Sequence, residues 1–238
     1  MGTRTKGGKK SASLVIFSGM DCSGKSTQIS ALMESFKQRG ERPIYIWLRV
    51  GYTPLFNAMK SLLRRLAGSK RLPQGESPQR DRFMRTGWKR MLWLHVAFID
   101  MAIETAVRIR LLKILGRKVL CDRYTEDSER DLIMNFGEDA ARLPGWKMVK
   151  AIAAKPDVGI FLDLSFEESL RRSIQKNEPF ADSQERRLYR AGLYEKLKQQ
   201  GDYCIVDAQR SIQEVSAAIG GLVFGNGAVK EDTTEVVP

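Results

Sequence analysis

A chain of 238 residues with 42% hydrophobic content can bury a substantial core, which excludes a small disulfide-stapled scaffold. Forty Lys and Arg against 28 Asp and Glu give a net +12, the charge of a protein that meets a polyanion: nucleic acid, an anionic membrane surface or a phosphorylated ligand. The surplus is local, because residues 60–90 hold ten basic side chains against Glu76 and Asp81, and Arg4, Lys6, Lys9 and Lys10 supply the rest. Cys22, Cys121 and Cys204 are odd in number and lie far apart with no C-x-x-C spacing, which argues against a disulfide framework or a zinc site and for a reducing, cytoplasmic setting.

In chain order, residues 1–12 read as a basic arm that lacks a signal-peptide core. Near-continuous apolar runs at 14–17, 43–48, 119–121, 158–164 and 203–206 predict strands buried on both faces. Helical periodicity predicts helices over 27–39, 55–67, 91–115, 167–174, 183–200 and 212–219, the first three ending at Gly40, Gly68 and Gly116. The segment 91–115 carries Asp100, Glu104, Arg108, Arg110 and Lys113, so it reads as a long soluble helix and not a membrane span. Pro73, Gly75 and Pro78 make 70–78 a loop, and 225–238 reads as a frayed tail. Strand alternating with helix predicts an α/β fold, a doubly wound five-stranded parallel sheet with helices on both faces, in one unit over 13–224.

Gly19-Met20-Asp21-Cys22-Ser23-Gly24-Lys25-Ser26 matches G-x-x-x-x-G-K-[ST], with a strand before it and a helix from Thr27 after it. Backbone N–H groups and the helix N-terminus would cradle phosphates there, Lys25 would reach the outer phosphates, and the Ser26 hydroxyl would ligate Mg²⁺. The expected ligands are therefore ATP or GTP with Mg²⁺, on a P-loop NTPase fold.

Four ordered segments carry a resemblance. The loop with its following Thr27-Gln28, Arg49-Val50-Gly51-Tyr52-Thr53-Pro54-Leu55, Asp122-Arg123-Tyr124, and Pro156-Asp157 leading to Leu162-Asp163 together resemble the thymidylate kinase family of P-loop nucleoside monophosphate kinases. The resemblance runs from about Leu14 to Leu222, with Cys22 standing where the family has glycine. It implies ATP-dependent phosphoryl transfer to a nucleoside monophosphate, dTMP by default. Arg49 and Arg123 would hold the acceptor phosphate, with Tyr124, Asp100 and the P-loop acid Asp21 beside the substrate. Asp122 would stand near Mg²⁺, and a mobile lid over about 171–185 would bring Arg171, Arg172 and also Lys176 to the transferred group.

Departures cluster at the base-reading end. In ungapped register from Asp122, Ala97 stands where the family stacks a phenylalanine on thymine and Met101 where it reads the base with arginine. The basic segment 64–95 is also longer than the family needs. Another nucleotide, or a sugar or sugar phosphate, is the alternative acceptor. A nucleotide-dependent protein that grips nucleic acid through the basic segment is the alternative of another class, not the favoured one. The resemblance also implies a homodimer packed through the long helix. The single histidine, His95, reads as packing, Cys22 as a quiet small residue.

Overall fold

The computed structural model describes residues 11–53, 56–58, 61, 65, 87–176 and 184–225. The core of the basic segment (66–86), part of the expected lid (177–183), the arm up to residue 10 and the tail beyond 225 lie outside the described residues. Of the helix expected over 55–67, residues 56–58, 61 and 65 are described, and all are helical.

Five strands, β1 (Leu14–Gly19), β2 (Pro43–Trp47), β3 (Lys118–Asp122), β4 (Val158–Asp163) and β5 (Cys204–Asp207), form one all-parallel sheet in the order β2-β3-β1-β4-β5. All five lie where the apolar runs predict them. Alternation within β1 splits the core between the two faces. Val15 and Phe17 pack with Ile29, Leu32 and Phe36 of α1 (Lys25–Gln38) and with Val215 and Ile219 of α9 (Ile212–Phe224). Leu14 and Ile16 pack on the opposite face with Ile46, Val119, Cys121, Tyr124 and Ile109. Because β1 is central, flanked by β3 and β4, the loop after it opens at the point where the sheet's winding reverses, the place such sheets use for ligands.

The helix expected over 91–115 differs from the one observed. It begins earlier, as α2 (Gly87–Ala102), passes through a π-helical segment (Ile103–Arg108) and ends as α3 (Ile109–Ile114). In the π segment the Thr105 carbonyl accepts the Ala154 N–H at 3.0 Å, and the Thr105 hydroxyl donates to the Met101 carbonyl at 2.6 Å. A widened turn with i→i+5 bonding frees groups for such tertiary bonds, and apolar periodicity carries no sign of it.

Three helices have no counterpart among the sequence expectations: α4 (Thr125–Phe136), α5 (Glu138–Arg142) and α6 (Pro144–Ile152). The reason is chemical. α4 buries Asp127, Ser128, Arg130 and Asp131 on its inner side, so its packed face is polar and gives no apolar stripe. The remaining helices, α7 (Phe166–Gln175) and α8 (Gln184–Gln199), follow the predicted spans within two residues.

Candidate active site

The loop between β1 and α1 is shaped by backbone that few side chains tolerate. Gly19 sits at φ +136°, and a Cβ there would lie 2.6 Å from the Leu162 carbonyl oxygen, so only glycine fits between β1 and β4. Cys22 also lies in the left-handed region, at φ 61°, which gives a physical reason for a glycine at that place in the family pattern. Lys25 opens α1 and folds back over the loop, where its Nζ donates to the carbonyls of Gly19 and Met20 at 2.9 and 2.7 Å. Burial is the main cause that pulls its pKa down to about 8, and Arg123 adds to it against the opposing pull of Asp21, Asp122 and Asp127. Ser26 and Thr27 remain exposed at the start of the helix.

The carboxyl end of β3 brings Asp122 and Arg123 to this loop. Register pairs Asp122 with Phe17 of β1 and with Trp47 of β2. Its Oδ2 accepts the Tyr45 hydroxyl at 3.3 Å, while its buried Oδ1 has no hydrogen-bond partner. A buried carboxylate oxygen left open fits a hydrated cation held between it and the Ser26 hydroxyl, the arrangement expected for Mg²⁺. Among the described residues no three His, Cys, Asp or Glu side chains come together to hold a metal, so phosphate oxygens of a bound nucleotide would complete such a site.

Arg123 is held in an unusual posture. Its φ of 71° is left-handed, and its N–H donates to the Phe17 carbonyl at 2.9 Å. Its Nη1 donates to the Tyr194 hydroxyl at 2.7 Å and its Nη2 to Asp21 Oδ1 at 2.6 Å. Tyr194 in turn donates to Asp127 Oδ1 at 2.8 Å, which also accepts the Ser18 hydroxyl at 2.9 Å. Asp127 is sealed from solvent, and burial raises its pKa against Arg123 and the two hydroxyl donors. Burial works against the charge on Arg123 too, but Tyr194, Asp21 and Asp127 outweigh it and keep the guanidinium protonated. Asp21 balances the other way: burial raises it, yet Arg123, Lys25, Arg190 and Arg49 prevail and hold it at about 2. Strain, polar burial and charge thus converge on one arginine and one carboxylate.

The other expected site residues are dispersed differently. Arg49, just past β2, donates from Nε to Asp131 Oδ2 at 2.7 Å and lies 5.3 Å from the Tyr52 ring centre. Asp100 is buried and accepts the Thr53 hydroxyl, which ties α2 to the turn after β2. Tyr124 points into the core and donates to the Ala154 carbonyl at 2.6 Å, so its hydroxyl is not presented to an acceptor. Arg171 and Arg172 both bind Glu168, at 2.6 and 2.7 Å from their Nε atoms, and Arg172 also donates to the Ala208 carbonyl. Arg171 is exposed and Arg172 half-buried, and their bonds run to Glu168 and Ala208, not to the groups around Lys25 and Arg123. Lys176 caps the same helix.

Sequence reasoning assigned no site role to Ser18, Asp127, Asp131, Arg190 or Tyr194. A usable signal existed: Asp127 and Asp131, like Arg190 and Tyr194, stand four residues apart on predicted or plausible helix faces and so share one side.

The comparisons agree with this architecture. A family model described as thymidylate kinase matches residues 138–219. A thymidylate kinase of Trichlorobacter lovleyi is 24% identical over 226 residues, covering 90% of this chain and 98% of that protein. Those of a Roseiflexus species and a Synechococcus species are 26% and 24% identical, covering 88% and 86% of this chain and 92% and 93% of theirs. With its P-loop, sheet order and motif sequence in hand, the chain is similar to the thymidylate kinases among P-loop kinases.

Proposed function

We propose that the protein transfers the γ-phosphoryl group of ATP to a nucleoside monophosphate, with dTMP the acceptor that its relatives' names suggest. The observation that carries this is the convergence of Asp21, Asp122 and Arg123 on Lys25 where β1 and β3 end. Phosphoryl transfer asks a protein for in-line placement and for cations around the moving group, and for little covalent chemistry. Lys25 would leave the loop carbonyls for the outer phosphates of ATP. Arg49 and Arg123 would orient the acceptor phosphate, and Asp21, ionised across the working pH range, would keep the arginines charged. Mg²⁺, when bound with ATP, supplies Lewis-acid neutralisation of the phosphate charge, with Ser26 and Asp122 as the residues that hold it and its water shell.

A second acceptor is favoured by one observation. Ala97 and Met101, the positions aligned with the family's base-stacking and base-reading residues, are completely buried in an apolar cluster with Phe98, Leu132 and Trp146. Neither can touch a base from there. A screen of ATP consumption over nucleoside monophosphates and sugar phosphates tests both readings: turnover with dTMP well above the other acceptors supports the first, and turnover confined to another acceptor supports the second. Salt-sensitive binding of oligonucleotides without turnover would instead point to the basic segment.

We place the protein in the cytoplasm; among the described residues no helix is long and apolar enough to cross a membrane. A homodimer is the expected assembly, since Leu92, Ile99, Ile103, Val107, Leu111 and Leu115 expose a stripe of apolar surface along one continuous helical run. Sedimentation equilibrium checks it, and a monomer at micromolar concentration would count against it.

A further inference from the structure

The Asp21 carboxylate bridges two guanidinium groups. Oδ1 accepts from Arg123 Nη2 at 2.6 Å, and Oδ2 accepts from Arg190 Nη1 at 2.5 Å. The carboxylate side chain is 42% exposed, whereas the two arginines beneath it are 12% and 11% exposed. An accessible anion therefore covers two nearly buried cations. Two oxygens on two arginines is also the pattern that a phosphoryl group makes with its non-bridging oxygens.

The two arginines are anchored differently. Arg123 has a fixed end, because Nη1 rests on Tyr194, which rests on sealed Asp127. Arg190 leaves α8 one turn before Tyr194, so a single helix supplies both the group that fixes Arg123 and the second cation. Its Nε contacts the soft thioether sulfur of Met134 at 3.3 Å, a weak acceptor. Its Nη1 meets the Asp21 carboxylate, in the P-loop itself. Arg171 and Arg172, by contrast, share the half-buried Glu168 on α7, and Arg172 also reaches the Ala208 carbonyl.

Resting on the kinase reading above, we infer that Arg190 is a catalytic residue, and that Asp21 is a place-holder for the anion it serves. As an acceptor phosphate oxygen forms its bond to the γ-phosphorus, the bridge oxygen between β- and γ-phosphorus leaves with the bond pair on ADP. Arg190 and Arg123 neutralise the non-bridging oxygens of the group in transit, taking their hydrogen bonds from Asp21 and exchanging no proton. This assigns to α8 the role that the resemblance places on Arg171 and Arg172.

The test compares wild type, Arg190→Ala, Arg190→Lys and the double variant Arg171→Ala/Arg172→Ala. With MgATP and the acceptor that the screen identifies, kcat of Arg190→Ala should fall by roughly 10²–10³-fold while KM for ATP moves less than about threefold. Millimolar guanidinium ion should restore at least about tenfold, Arg190→Lys should be intermediate, and the double variant should stay within about threefold of wild type. Loss of kcat in the double variant with Arg190→Ala unaffected overturns the assignment, as does a loss in Arg190→Ala that guanidinium does not relieve and that follows a lowered thermal midpoint. Calorimetric titration with inorganic tripolyphosphate supplies an arm independent of turnover. Arg190→Ala should bind it about tenfold more weakly, and Asp21→Asn should bind it more tightly only while Arg190 is present. If wild type transfers to no acceptor, the kinase reading fails on its own, and equal tripolyphosphate binding by wild type and Arg190→Ala then overturns the present inference.

Discussion

The two ends of the cleft are built from opposite materials. On the phosphate side, Asp21, Lys25, Arg123, Asp127, Arg190 and Tyr194 form a polar network in which even sealed Asp127 is paired, and the buried Asp122 Oδ1 beside it is left open. On the base side, Leu94, Ala97, Phe98, Met101 and Trp146 close into apolar packing, with Trp93 wedged between Phe56 and Phe136 at ring distances of 5.4 and 5.3 Å. A buried polar network constrains residue identity tightly, since a lost partner leaves a desolvated group behind. Apolar packing accepts substitutions of similar volume. The difference teaches why a chain similar to thymidylate kinases can keep the phosphate-binding motifs while residues at the base-reading end of the pattern differ.

The sharpest way to break the comparison is to remove Lys25. Lys25→Met should lower transfer by at least about 10³-fold, because the cation over the outer phosphates is lost. Stability should move the opposite way. A lysine whose folded pKa is about 8, below its ordinary 10.5, is penalised by its charge at all pH below 8, a penalty that fades as pH rises to about 10.5. Removing it should add of order 1–3 kcal/mol at pH 7, read from denaturant unfolding. A variant that is both inactive and less stable would show that the two carbonyl bonds of Lys25 hold the loop.

On the base side the matching change is Met101→Arg, which restores the family's residue. Were the family's pocket merely waiting for it, thymidylate turnover would rise. The packing says otherwise: Met101 has no exposure and its neighbours are apolar, so an arginine there would be a buried, unpaired charge. The expected outcome is a loss of several kcal/mol or failure to fold, with no gain in dTMP selectivity. A soluble, stable variant with improved dTMP turnover would prove the base side as constrained as the phosphate side.

Legibility in the sequence follows the same divide. The strands were readable because burial on both faces leaves near-continuous apolar runs at 14–17 and 158–162. Gly19 and Lys25 were readable because a phosphate-binding loop demands those residue types at that spacing, whereas Arg123 stood out only through the resemblance of its Asp-Arg-Tyr motif. Helix α4 was not, since its buried face carries Asp127, Arg130 and Asp131, which periodicity treats as solvent-facing. Nor could spacing reveal that Arg190 meets Asp21, 169 residues away, while Arg171 meets Glu168 on its own helix.

A smaller effect probes the electrostatics of the phosphate side alone. Anionic phosphates should draw the depressed pKa of Lys25 back up, so MgATP binding at pH 8.5–9 should take up about 0.5–1 proton, and binding near pH 6.5 almost none from this group. Calorimetry in two buffers of different ionisation enthalpy measures it. Affinity should accordingly weaken as pH climbs past 8, by at most about tenfold per pH unit.

The smallest expected effect comes from Cys22→Gly. At φ 61° a side chain with a Cβ strains the loop by of order 1 kcal/mol, which glycine would relieve. Glycine also frees the unfolded chain, which takes back of order 0.5–1 kcal/mol. The thermal midpoint should therefore shift by no more than about 2 °C, and turnover should stay within about twofold of wild type. Near-neutrality is the informative result, because it would mean that the phosphate side tolerates a rule-breaking residue wherever the thiol makes no contact with the reacting groups. A large fall in kcat with an unchanged midpoint would make the Cys22 thiol, half-buried in the loop that precedes α1, a participant in phosphate binding. In that case the phosphate side, too, has departed from the family pattern.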